Sequence, residues 1–464
     1  MRFTTALLLL CFLIPSVHVS AEDPSATRPN ILFIAIDDLR PEILEYGHEE
    51  MVTPNMDRLA NRSLLFERAY CMVPTCGASR ASLMTGIRPT KDRFVSFDVF
   101  ASEDAPGIVT LNTHLKENGY HTVSLGKVFH HRNDNESGWS EPPWRAGGGH
   151  YANPENEKKM DGWKNGQAYE REDVPDNTYR DGKLAEEAIR VLQRLSKKKQ
   201  PFFLSVGFTK PHLPFVAPEK YWALYDGKVE LPDNYYAPEN VPDEAMHPWG
   251  ELRNYTGIPK KGVLPRKQAR TLIHGYRACV TYVDTQIGRI LDEMDSLGLT
   301  GNTVLVLWGD HGWNLGEHTL WCKHCCFENA LRAPLIISAP MLDGFESATR
   351  TGNLTEFIDI YPTLCDLAGI DKPQHLEGTS LTDVLKDPDT AHKEFAISRF
   401  KSGDTIRTNR YRYSQYTDNK GKVVARMLYD HDRDPGENHN IAGNPEYTHV
   451  VEKLSELLVE HMGR

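Results

Sequence analysis

The sequence predicts an α/β fold: a large mainly parallel or mixed sheet flanked by helices, then a small C-terminal antiparallel sheet with one helix. Three observations carry this expectation. Short β-branched apolar runs recur up to Ser338. Segments with apolar residues three and four apart alternate with them, as one-faced helices require. Beyond about residue 390 the texture turns to short alternating runs, which suit strands solvated on one face.

The first twenty-one residues read as a secretory signal. Arg2 supplies the charged start, Ala6 to Ile14 the apolar run, and Val19-Ser20-Ala21 a small-residue cleavage site. That run is too short to span a bilayer, and no second apolar segment of spanning length follows. The chain is therefore expected to be exported, to the periplasm, the medium or a lysosome according to the organism, without integral membrane contact. Leu8-Leu9-Leu10-Cys11 faintly resembles a lipoprotein box, but Leu10 is too large for the position before the cysteine.

Asn30 to Asp37 (NILFIAID) is a buried strand ending in acids. Thr53-Pro54 then opens a helix, with Thr53 as cap and Pro54 in the first turn. Further buried strands are expected at His121 to Leu125, Phe202 to Phe208, Thr303 to Trp308 and Leu335 to Ser338. Tyr276, Val280, Val283, Ile287, Ile290 and Met294 form one stripe of a long helix. Residues 133–177 and 209–265 lack periodicity; loops of that length inside a domain usually carry function, and here they are expected to wall a cleft. Phe395 to Phe400, Thr405 to Gln415 and Val423 to Tyr429 make the small sheet, and Val450, Leu454, Leu457, Leu458 and His461 mark the closing helix. The expected division is 1–21 signal, 22–390 catalytic domain and 391–464 C-terminal subdomain.

The 464 residues carry 53 basic and 64 acidic side chains, a net charge of −11. Loss of Arg2 with the signal moves the balance to about −12. Such a balance argues against nucleic acid as partner. Seven cysteines remain in the mature chain, an odd number that leaves at least one unpaired. Cys322-Lys323-His324-Cys325-Cys326 superficially suggests zinc. No second paired-ligand motif lies nearby and a lysine would crowd the metal, so a disulfide or plain packing is expected there.

Asp37-Asp38 and Asp310-His311-Gly312 each end an apolar strand. Taken singly they read as turn or capping residues. Together, at the edge where α/β sheets present their ligands, they suit a divalent cation with oxygen donors. The most specific segment is Cys76-Gly77-Ala78-Ser79-Arg80, continued to Met84-Thr85-Gly86. This pattern resembles the signature of the sulfatase family, whose leading cysteine is oxidised after translation to formylglycine (3-oxoalanine). Gly126-Lys127-Val128-Phe129-His130, Lys210-Pro211-His212 and Leu428 to Pro435 look like further family blocks. Within the family, GKVFHH (126–131), KPHLPFVAPEKYWALYD (210–226) and DHGWNLGEHTLWCKH (310–324) look closest to the iduronate-2-sulfatase subfamily, Lys323 falling where that subfamily has an active-site lysine. The surrounding cysteines depart from its pattern.

The resemblance implies a calcium ion bound by Asp37, Asp38, Asp310, His311 and an oxygen of modified Cys76. It implies that Arg80 and Lys127 hold the aldehyde hydrate, that His130 takes a proton during sulfate release, and that His212 and Lys323 grip the sulfate. It also implies a sulfated sugar as substrate and a formylglycine-generating enzyme as maturation partner. The chemistry is coherent: one geminal hydroxyl attacks sulfur, and the other loses its proton to expel sulfate as the carbonyl re-forms. His311 is the least typical ligand, since a ring nitrogen is softer than the donors calcium prefers. Two other readings stay open, a phosphatase or phosphonate monoester hydrolase of the same superfold and a non-catalytic carbohydrate-binding homologue. Trp313 is expected in the core or as a pocket wall that stacks on a sugar ring. Because the charged chain repels polyanions while the local cations attract over only ~8 Å, end-on action in a closed pocket is expected.

Overall fold

The computed structural model describes residues 28–162 and 165–462; the expected signal segment, with Cys11, lies outside them. Seven strands form the main sheet: β1 (Asn30–Ile36), β2 (Leu64–Tyr70), β3 (His121–Gly126), β4 (Phe202–Phe208), β5 (Thr303–Gly309), β6 (Leu335–Ser338) and β7 (Thr349–Glu356). Their order is β7-β2-β6-β5-β1-β4-β3. All pairs are parallel except those of β6, which runs antiparallel to both β2 and β5, so the sheet is mixed. β1, β4 and β5 are buried almost throughout, which accounts for their nearly continuous apolar runs.

The helices that matter for the site are α1 (Pro54–Ala60), α2 (Cys76–Thr85), α3 (Arg180–Leu195) and α4 (Arg266–Ser296). The predicted stripe of α4, from Tyr276 to Met294, is buried. A four-stranded antiparallel sheet follows, β8 (Phe395–Phe400), β9 (Gly403–Thr408), β10 (Tyr411–Thr417) and β11 (Val423–Asp430). Helix α5 (Thr448–Met462) closes it with Leu454 and Leu458 against Ile397, Ile406, Tyr413 and Leu428.

Several expectations need correction. Strands β2 and β7 carry no buried-strand signature: Glu67 and Arg68 interrupt β2, and β7 is an edge strand with alternating exposed residues. The expected single run from Thr405 to Gln415 is a hairpin, turning at Asn409-Arg410. Thr53 occupies the N-cap position without the capping bond; its hydroxyl instead donates to Asp57 at 3.2 Å and accepts from the Leu44 N–H. Of the expectations for Trp313, the core one holds: it is 1% exposed, with Lys323 Nζ 5.0 Å from its ring centre. All seven cysteines of the described residues are free and buried, so packing accounts for them. No helix of the described residues is long and apolar enough to cross a membrane.

Candidate active site

Parallel pairing of β1 with β4 and β5 brings their carboxyl ends to one edge. Asp37 and Asp38 leave β1 there, and Asp310 and His311 leave β5. Backbone bonds pin these exits: Asp37 N–H donates to Phe208 at 3.2 Å, and Asp310 N–H donates to Ile36 at 3.2 Å. Asp38 has φ of 61°, a left-handed turn that acidic residues tolerate, and it sends the second carboxylate back toward the first. Its N–H donates to Asp310 Oδ1 at 3.0 Å.

Helix α2 delivers Cys76 at its first turn, with Sγ 3.4 Å from His311 Nε2 and 4.0 Å from Asp38 Oδ1. Gly77 is required beside it, because a Cβ there would meet the Phe97 carbonyl oxygen at 2.0 Å. Arg80 is wholly buried: Nε donates to Asp310 Oδ2 at 2.9 Å, Nη2 to Asp37 Oδ1 at 3.2 Å, and Nη1 to the carbonyls of Lys127 and Val128. Lys127, just past β3, donates to Asp37 Oδ2 at 2.5 Å. The bare α-carbon of Gly207 on β4 admits the Lys127 backbone, whose oxygen would stand 2.1 Å from a Cβ. His212 lies between two cis prolyl bonds, Lys210–Pro211 and Leu213–Pro214. Its Nε2 is 3.9 Å from Asp38 Oδ2, and Lys323 Nζ is 2.8 Å from Asp38 Oδ1. His130 lines the cavity too, its Nδ1 buried without a hydrogen-bond partner among the described residues and its ring edge-on to Phe97 at 5.8 Å.

The electrostatics follow from burial among these charges. Burial lifts the Asp37 carboxyl, but Lys127, His212 and Arg80 together hold it well below its ordinary range. Burial raises Asp38 above its ordinary value; Lys323 opposes the rise and Asp37 adds to it. Burial and then Asp37 push the Cys76 thiol well up, so the unmodified sulfur is a poor nucleophile. His130 is driven down to about 2 by burial first and Lys127 next, which keeps its ring neutral.

Oxygen, sulfur or nitrogen atoms of Asp37, Asp38, Cys76 and His311 all lie within 4.8 Å of one another, all buried, with Asp310 Oδ1 at 3.5 Å from His311 Nε2. Asp38 Oδ2 is buried without a hydrogen-bond partner among the described residues. Adjacent carboxylates with an orphaned oxygen fit a hard divalent cation. Above them opens a cavity of about 860 Å³, lined among others by Cys76, Lys127, His130, His212 and Lys323. Every predicted site residue thus lies in or under this one cavity. The sequence gives no sign of Glu251, Arg145 and Arg180, which line it too. Glu251 comes from the unpatterned 209–265 stretch, and its only forewarning is that long loops tend to wall clefts.

The sulfatase family profile matches residues 29–370 of the chain. The chain belongs to the sulfatase family. A second profile, the C-terminal region of N-sulphoglucosamine sulphohydrolase, matches residues 316–463 of this sulfatase. It is 31% identical to the iduronate 2-sulfatase of Mus musculus, with 98% of each chain covered. It is 32% identical to a sulfatase of Formosa agariphila, covering 93% of this chain and 86% of that one. The phosphonate monoester hydrolase of Silicibacter pomeroyi shares its fold, with a TM-score of 0.75 at 23% identity over 94% of this chain and 95% of that one. The sulfatase is a sulfuric ester hydrolase.

Proposed function

We propose that this sulfatase removes sulfate from a sulfated carbohydrate of the iduronate-2-sulfate type, using formylglycine made from Cys76 and one bound calcium ion. The observation that carries this reading is the gathering of Asp37, Asp38, Cys76 and His311 donor atoms within 4.8 Å beneath the cavity. When in place, the cation polarises the sulfate and the aldehyde hydrate supplies a geminal hydroxyl as nucleophile. Asp37, Asp38, Asp310, His311 and position 76 hold the cation. Arg80 and Lys127 neutralise oxygen charge at position 76, and their bonds to Asp37 and Asp310 fix where they point. His130, neutral in its buried setting, has a lone pair with which to take a proton from position 76 as sulfate departs. His212 and Lys323 also line the cavity, where they grip sulfate oxygens and one of them protonates the departing alkoxide oxygen. The iduronate 2-sulfatase likeness over nearly the whole chain supports the sugar class. We further read the enzyme as exported, matured by a formylglycine-generating enzyme, and divided into a 22–390 catalytic domain and a 391–464 subdomain.

The test is direct. Mass spectrometry of the peptide bearing position 76 should give a mass ~18 Da below the cysteine form. The protein should release sulfate from aryl and sugar sulfates, and Cys76→Ala should lose turnover while keeping its melting temperature within a few degrees. A free thiol in fully active protein overturns the reading. The likeness to a phosphonate monoester hydrolase favours one alternative, and faster cleavage of aryl phosphonate than aryl sulfate would select it.

A further inference from the structure

Two arginines that the proposed chemistry does not use line the cavity, Arg145 and Arg180. Each is held by backbone carbonyls on one side only. Arg145 donates from Nε to Gly126 at 3.2 Å and from Nη2 to Phe129 at 2.8 Å and His130 at 2.9 Å. Arg180 donates from Nε at 3.0 Å and from Nη2 at 2.5 Å to Gly148. That leaves Nη1 of both guanidiniums without a partner among the described residues. Neither arginine makes an ion pair there, whereas Arg80 in the same site makes two.

Glu157 and Asp181 support the Arg180 charge from a distance without pairing with it, and the exposed Asp98 and Asp161 line the cavity without pairing with either arginine among the described residues. Glu157 accepts the N–H groups of His150 and Tyr151, and Asp181 accepts those of Thr209 and Lys210. Arg145 is pushed down to about 10 by burial and then by Arg80, and Arg180 moves the same way through burial. Part-buried guanidiniums rarely go without counter-anions, because desolvated charge is costly. Here the ligand is the group that can supply one.

We propose that Arg145 and Arg180 form a second anion subsite, which takes a carboxylate or a further sulfate on the same sugar as the scissile ester. This rests on the sulfatase reading of the cavity and deepens it by naming the residues that would read a second anionic group on the sugar. A planar guanidinium fixed on one edge presents its other edge as a fork, which suits the paired oxygens of either group. Lys323 and His212 are the groups assigned to the scissile sulfate, so the two clamps would fix the ring at two points. Position would then be selected, along with charge.

The experiment compares kcat/KM for three esters, a hexuronate 2-sulfate, a hexose 2,6-disulfate and a neutral hexose 2-sulfate, in the wild type and in Arg180→Gln and Arg180→Lys. Wild type should prefer at least one doubly anionic ester over the neutral one. Arg180→Gln should cut that preference roughly 10- to 100-fold, as for loss of a charge-assisted bond, and Arg180→Lys should restore part of it. The ester that loses its advantage tells carboxylate from sulfate. Equal losses on all three esters, or none, overturn the subsite. Calorimetry with the free hexuronate and its neutral parent sugar separates the two proposals. If wild type cleaves no ester, yet binds the sugar acid about tenfold tighter than the neutral sugar and Arg180→Gln abolishes that gap, the subsite stands and the reaction fails. If no such gap exists, the subsite falls on its own.

Discussion

His212 Nε2 stands 3.0 Å from a carboxylate oxygen of Glu251, while its Nδ1 faces the Leu213 carbonyl at 2.6 Å. Both ring nitrogens thus lie within hydrogen-bonding distance of an oxygen. The same carboxylate lies 3.3 Å from Lys323 Nζ. Although burial lifts the Glu251 carboxyl, Lys323 and His212 hold it well below its ordinary range, so it is ionised. An anion from the chain therefore lies against the two side chains assigned to the sulfate.

Product inhibition should expose this competition. In Glu251→Gln the rival charge is gone, and inorganic sulfate should inhibit with a Ki about tenfold lower, the size of one charge-assisted bond. Steady-state inhibition at fixed ionic strength measures it. A Ki that stays put or rises would mean that Glu251 does not contest the sulfate position.

Lys323 is raised well above its ordinary range: burial works against its charge, but Asp38, Cys76 and Glu251 outweigh it. Lys323→Ala should slow turnover about 10²-fold or more, as for a lost transition-state donor. It also leaves Asp38 and Glu251 buried without their cation, and breaking such a pair costs about 3–5 kcal/mol. Turnover and denaturant melts read the two effects separately. A destabilised variant with wild-type kcat would give Lys323 a structural role alone.

His130 offers a test in pH. Its folded pKa of about 2 lies below the unfolded value of 6.5. Below 6.5 the unfolded chain takes up a proton that the folded chain refuses, so this residue's contribution is whole above 6.5 and drains away as pH falls. The limiting slope is about 1.4 kcal/mol per pH unit. His130→Gln lacks that proton uptake. The stability gap between wild type and variant should therefore shift against the wild type by about 2 kcal/mol from pH 7.5 to pH 5, as urea melts would show. A gap that does not move with pH would mean that His130 takes up its proton as readily in the fold as in the unfolded chain.

Chelation tests the cation cluster without using turnover as the only readout. EGTA should lower both the melting temperature and activity, and calcium at 100 times its Kd should return about 2.7 kcal/mol of stability. Magnesium should do less, since it demands tighter octahedral geometry. Asp38→Asn should lose the calcium response. An EGTA melt identical to that of the calcium-loaded protein would argue against the cluster as a cation site.

Much of this architecture was readable along the chain because its signals are local. β1, β4 and β5 announce themselves by unbroken apolar runs, and α4 by its three- and four-residue spacing. β2 and β7 do not, because Glu67, Arg68 and the exposed face of β7 owe their place to neighbours in the sheet. Trp313, expected in the core or as a pocket wall, is buried against Lys323.

By itself the sequence named the candidate side chains: acids ending apolar strands, Cys76 opening a helix, and lysines and histidines in short recognisable blocks. Only the tertiary structure decided how they face one another. Lys323 meets Asp38 across 285 residues, Glu251 enters from an unpatterned loop to sit on His212, and Arg145 and Arg180 reach the cavity from separate segments. The reason is one of range: periodicity records which face of a strand or helix is buried, whereas charge pairing acts through space between segments that only the closed sheet brings together.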